Sequence, residues 1–290
     1  MASTDPLISP VTDKAASVLD IVSYGYRTAI RHIWPLTLIA SPAILLSIYQ
    51  GFHSASDFEA GVAAGQAARL RHTSIPAMYI GWIAYLIPLY FNYCATLYSR
   101  DVYFNQVDRP IYSYIFGEKK TLSAILVFSG ICLLALIPAG LIGIIGLTLL
   151  IIPGIIWFTY ILMVYNMAIV LILQKSTMGV KWSIQEILRL LKNHTGRTIG
   201  LGLLVWFIGT IVAVPITLPG MFISMGPHMS GNLLMSILSA FSYGLGSWLS
   251  MSIGIGGVVF TTYRFIADLK IWHGDEDADS MLPAPIEQKA

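Results

Sequence analysis

His53, Asp57, Glu59 and His72 are the only plausible acid–base set outside the apolar runs, but they stand among Ala and Gly with no nucleophile or motif beside them. The remaining histidines, His32, His194, His228 and His273, show no i, i+4 pair of the kind that holds a metal on a helix, so no metal site is expected. Cys94 and Cys132 each sit alone inside an apolar run and read as packing residues rather than as a disulfide framework. Gly140, Gly143 and Gly146, and again Gly254, Gly256 and Gly257, have loop-like spacing, yet neither group follows a strand or opens a soluble helix, as a phosphate cradle requires. No catalytic, cofactor-binding or metal residue can be named, and the chain is not expected to be an enzyme.

The polar residues that remain are candidates for packing and recognition. Asn92 and Asn166 lie inside apolar runs, with Tyr90 and Tyr93 beside the first, and they either hydrogen-bond between helices or line a cavity for a neutral substrate. No charged residue falls at the centre of an apolar run, which argues against a proton-coupled transporter or ion pump. Lys181, Arg189 and Lys192 stand on one amphipathic stretch and are candidate contacts for a partner or for lipid headgroups. Ser239, Ser242, Gly246, Ser250, Gly254 and Gly257 recur every three or four residues; this stripe lets another helix approach closely, with Gly246, Ser250, Gly254 and Gly257 as its packing positions.

These residues must be positioned by membrane helices. The chain is 56% hydrophobic and 11% charged, against roughly a quarter charged in soluble domains. At ~20 apolar residues per crossing, 290 residues hold about six crossings. The expected fold is all-α and polytopic: six transmembrane helices as three hairpins, each preceded by an amphipathic interfacial elbow helix.

In chain order, 1–12 is an N-terminal tail without the pattern of a secretory signal. Asp13 is a possible cap for a helix with Val18, Leu19, Val22, Tyr26, Ala29 and Ile30 on one face. The first crossing is expected over 33–49, followed by a polar loop to Thr73, and the second over 74–98, after which Arg100, Asp101, Asp108 and Arg109 return the chain to water. Pro110 opens a short second elbow. The stretch from Thr121 to Gln174 has no charge and is too long for one crossing, so it folds back as a hairpin. A third elbow spans Lys175–Arg197, with Val180, Ile184, Ile187, Leu188 and Leu191 on its apolar face and Ser183 and Glu186 at capping-box spacing. Crossing five covers about 198–218, and crossing six lies within 234–267. The single membrane domain is 13–270, and 271–290 is an acidic tail expected to be disordered.

Orientation follows from the positive charges. With both termini cytoplasmic, only Arg69 and Arg71 of the 17 Lys and Arg residues lie outside. Asn193-His194-Thr195 then matches a glycosylation acceptor on the wrong side and is a chance match.

The stretch Ile152-Pro153-Gly154-Ile155-Ile156-Trp157, the helix end Ile172-Leu173-Gln174-Lys175, the segment Ser183-Ile184-Gln185-Glu186-Ile187-Leu188 and the Lys192-Asn193 turn carry a resemblance, with weaker echoes at Thr96-Leu97-Tyr98 and Thr262-Tyr263-Arg264. Here the chain resembles a family of bacterial six-helix inner-membrane proteins that includes the YciC-like proteins and the membrane domain attached to some glycerophosphodiester phosphodiesterases. The resemblance implies an elbow-containing membrane domain in the bacterial inner membrane and carries over no catalytic residue. Two functions are compatible with these readings. The first is a non-catalytic scaffold or accessory subunit, in membrane or lipid homeostasis, that contacts membrane lipids and a membrane-protein partner or a second copy, but no nucleic acid. The alternative is a carrier or channel for a neutral or lipidic small molecule.

Overall fold

A computed structural model describes residues 16–63, 75–118, 122–123, 125–127, 151–174, 179–225 and 233–275. Every regular element among them is helical: α1 (Val18–Arg31), α2 (Ile33–Ala63), α3 (Ile75–Tyr103), a 3-10 helix (Ile111–Phe116), α4 (Ile151–Gln174), α5 (Gly179–Leu191), α6 (Thr195–Met225), α7 (Leu233–Trp248), a π-helical segment (Leu249–Ile255) and α8 (Gly256–His273). Among the described residues two stretches, Pro153–Gln174 and Ser236–His273, are long and apolar enough to cross a bilayer. A third results if α1 and the first half of α2, bent by 76° about His32, count as one span. The expected hairpin turn between 138 and 154, with Cys132, His72, His228 and Asp13, falls largely or wholly outside the described residues.

The helix ends depart from the sequence reading for identifiable reasons. Helix α1 starts at Val18 because the Ser17 hydroxyl accepts the Asp20 amide N–H at 3.1 Å. The expected loop after Tyr49 is still helical as far as Ala63: its Ala- and Glu-containing sequence is polar but favours helix, so hydropathy marked the end of the apolar run and not of the helix. Ser183 does not start the third elbow. It is fully buried in the middle of α5, and Glu186 pairs instead with Arg189.

Helices α7 and α8 form one continuous rod through the π segment, longer than the expected sixth crossing. Its first half packs on α2 and α6, and its second half is the post around which the charged end of the molecule assembles. From Val259 to Lys270 nearly every residue of α8 is buried, Asp268 and Lys270 included, because α1, α3, α4 and α5 pack around it. The apolar stripe of α1 is buried against this post, and that of α5 against α4 and the post together. Ile21, Val22 and Ala29 of α1 and Ile187, Leu190 and Leu191 of α5 are buried, while Leu19, Ile30 and Leu188, expected on the apolar faces, point outward.

Candidate functional site

Among the described residues, two clusters of interlocked polar side chains stand at the charged end of the rod. The first joins α3, the 3-10 helix and α4. Arg100, at the end of α3, places Nε 2.7 Å from Asp101 Oδ1 and Nη2 2.9 Å from Glu118 Oε1. Arg109 answers from the loop, its Nη2 lying 2.9 Å from Asp101 Oδ2 and 3.0 Å from the same Glu118 oxygen. Tyr114 donates to Asp101 Oδ2 at 2.8 Å, and the Arg109 guanidinium lies over its ring at 4.2 Å. Asp101 is 8% exposed, so this is an interlocked network of two cations and two anions and not a solvated return to water, as the sequence suggested. Arg100 Nη1 also donates to the Leu173 carbonyl at 3.4 Å, near the end of α4 where the orphan carbonyls carry negative dipole charge.

Tyr90 and Tyr93 belong to this cluster. Tyr90 donates to the Ile115 carbonyl at 2.7 Å, and Tyr93 donates to the Glu118 carbonyl at 2.9 Å while accepting the Glu118 N–H at 3.0 Å. Both hydroxyls latch the elbow to α3. Gly117 makes the turn possible: its φ is +61°, and a Cβ there would sit 2.8 Å from Tyr93 Cε1. Cys94, fully buried, points its thiol at the Ile115 carbonyl at 3.8 Å.

The second cluster ties the start and end of the chain to the α5–α6 turn. Arg197 Nη2 lies 2.8 Å from Asp268 Oδ2 and donates to the Ala16 carbonyl at 2.7 Å, while the Ala16 N–H donates to Asp268 Oδ1 at 2.9 Å. His194 packs edge-on to Trp272 and to His273, with centroids 5.5 and 5.4 Å apart. Asn193 (φ +70°) makes the turn that brings His194 there. Burial holds the His194 pKa below its usual value, His273 and Arg197 push the same way, and Asp268 opposes them. A histidine whose folded pKa is depressed favours the unfolded state once protons bind, so its penalty sets in as pH falls below the unfolded value of ~6.5. Lowering the pH from 7.5 to 5.5 is therefore expected to lower the unfolding temperature of the detergent-solubilised protein more than that of His194→Gln; equal losses in the two would show that this imidazole is not a source of the dependence.

Lys181 on α5 and Lys192 in the turn just after it are exposed. Arg189 is not a free contact: it pairs with Glu186 at 2.7 Å and with Asp275 at 2.5 Å, holding the start of the acidic tail against α5. Asn166 donates to the Leu162 carbonyl of its own helix at 2.8 Å, an intrahelical bond rather than the interhelical one expected. Asn92 Oδ1 is buried and has no hydrogen-bond partner among the described residues. The small-residue stripe is split by the π segment. Ser239 and Gly246 are buried and Ser242 donates to the Ile216 carbonyl of α6, but Ser250 is exposed, Gly254 meets only its own helix, and Gly257 turns to Tyr26 of α1. A π turn advances the chain by an extra residue, which rotates everything after it onto a different neighbour.

The Arg100–Asp101–Arg109–Glu118 network escaped the sequence reading because charges after an apolar run are normally hydrated. The available signal was the tyrosines at 90, 93, 98, 103 and 114, too many hydroxyls for a lipid-facing surface. Among the described residues no group of three or more His, Cys, Asp and Glu could hold a metal ion. No protein-family model, no curated protein and no solved structure matches the chain.

Proposed function

We propose that this protein is a non-catalytic scaffold or accessory subunit of the bacterial inner membrane, crossing it six times with both termini in the cytoplasm, and that α5 is its contact surface. The observation that carries the reading is the division of α5 into two faces. Ser183, Ile187, Leu190 and Leu191 are locked to the interior, whereas Lys181, Gln185 and Leu188, with Lys192 in the turn that follows, are exposed. An apolar residue flanked by two cations suits an acidic partner surface. The charges of the first cluster are engaged with one another, which favours a rigid base over a reacting centre.

Gentle extraction from native membranes and mass spectrometry of what copurifies tests this. A stoichiometric protein partner is expected, and Lys181→Glu with Lys192→Glu is expected to lower its recovery by about fivefold, the scale of two lost rim charges. A monomer that copurifies with no protein would refute the reading. Asn92, whose buried oxygen has no partner among the described residues, favours a second function, a carrier for a neutral or lipidic molecule; loss of solute flux in vesicles on Asn92→Leu, with folding intact, would select it.

A further inference from the structure

A groove of about 430 Å³ lies between α2 and α7, lined by Ile48 of α2 and by Ile237, Phe241, Gly244, Leu245 and Trp248 of α7. We propose that it is a binding site for one acyl chain of a bilayer lipid, an inference that rests on the membrane-spanning reading of the rod.

Its chemistry excludes a polar ligand. The one polar atom on the lining side chains, Trp248 Nε1, is turned inward and donates to Thr37 Oγ1 at 2.8 Å; that oxygen lies 3.1 Å from Ser252 Oγ in the π segment. The neighbouring hydroxyls of Ser47 and Ser247 satisfy each other at 3.0 Å. What faces the groove is hydrocarbon and an indole ring. Ile237, Phe241, Leu245 and Trp248 follow at helical spacing along one face, and at 1.5 Å per residue the 11-residue rise from Ile237 to Trp248 is ~16 Å, about one leaflet of a ~30 Å hydrocarbon core. A groove one leaflet long fits a single chain lying along it. Its outer lip is continuous with Leu234, Leu238 and Phe241, all exposed and apolar within a stretch long enough to span, so the medium that reaches it is lipid. Gly244 sets the floor of the groove: Ile48 Cγ1 lies 2.5 Å from where a Cβ would stand, so α2 and α7 approach closely there, with Ile48 packed against bare backbone.

The test uses the full chain in phospholipid vesicles doped with phosphatidylglycerol bearing a diazirine on one acyl chain, with labelled residues mapped by mass spectrometry after illumination. Labelling at Leu245 and Trp248 is expected to exceed that at Phe207 and Ile211, exposed residues of α6, by at least about fivefold. Ile237→Trp, placing a ring into the groove from a half-exposed position, is expected to bring it down to the α6 level, while Leu238→Trp on the adjacent surface leaves it unchanged. Equal labelling of groove and α6 would overturn the proposal while leaving the membrane reading intact; no labelling at either place would remove the membrane reading itself. A disulfide formed by Phe241→Cys with another copy, or with a cysteine in the 121–150 stretch, would assign the groove to protein and overturn it as well.

Discussion

Gly25→Val is expected to abolish recovery of folded protein. Helices α1 and α8 cross so closely that a Cβ on residue 25 would lie 2.0 Å from Thr261 Oγ1, 2.7 Å from the Gly257 carbonyl oxygen and 2.7 Å from the Thr261 amide nitrogen. Two of these three neighbours are backbone, so a change of rotamer cannot relieve the clash, and α1 has to leave the post. It would then take Ile21, Val22 and Ala29 out of the core. Overpacking alone costs 1–3 kcal/mol, and each buried aliphatic returned to solvent adds ~1.5–3 kcal/mol, together comparable with the whole stability of a typical domain. Thr261→Gly in the Gly25→Val background removes one of the three clashes and should not restore folding. Gly209→Ala is the control: among the described residues nothing lies within 4 Å of its Cβ position, so it should be neutral or stabilising by up to ~1 kcal/mol. Size-exclusion profiles of the detergent-solubilised variants decide it; a monodisperse Gly25→Val protein with wild-type thermal stability would mean that α1 is not docked at this crossing.

Gly25 also shows what the sequence could and could not reveal. The stripe of α1 was legible from its 3.6-residue period, and Val22 and Ala29 are buried as that period requires. Its centre was displaced, because hydropathy ranks Leu19 and Ile30 above Gly25, whereas close packing selects the residue with no side chain. The same displacement occurs in α5, where Leu188 is 67% exposed and Ser183 is fully buried. Helical class followed from composition and period. The partner of each stripe did not, since nothing in a single sequence says that α1 packs on α8, and α5 on α4 and α8, rather than along a bilayer surface. The candidate site was legible as residue types and illegible as a constellation: Tyr93 and Glu118 are 25 positions apart, and Arg197 and Ala16 are 181 apart. Hydrogen bonds of that sequence separation are decided by packing. The π segment was hidden for a related reason. It is the join between a half-rod held by α2 and one held by α1, so its cause lies in two neighbours and not in Leu249–Ile255 alone.

Asp101→Leu is expected to be the most damaging change among the charged residues. Asp101 takes Arg100 on one oxygen and both Arg109 and Tyr114 on the other, at 8% exposure. Replacing it leaves two guanidinium groups with Glu118 as their shared anion, and leaves the Tyr114 hydroxyl without its acceptor in a fully buried side chain. Breaking a buried pair by removing one partner costs ~3–5 kcal/mol, because the charge left behind is desolvated without compensation. In a chain of this size that lowers the unfolding temperature by roughly 10 °C. The design separates the charge from the geometry. Asp101→Asn keeps the shape and one acceptor, yet its amide N–H groups face cations, so it should recover only a minor part of the loss. Tyr114→Phe should cost ~1 kcal/mol, the worth of one hydrogen bond. Asp101→Leu with Arg109→Met should be more stable than Asp101→Leu alone, because the second substitution removes a stranded cation, and that non-additivity is the mark of a coupled network. Wild-type stability in Asp101→Leu would instead mean that water solvates these groups, as it does exposed ion pairs worth ~0–1 kcal/mol, and the elbow would then be held to α3 by Tyr90, Tyr93 and apolar packing without help from charge.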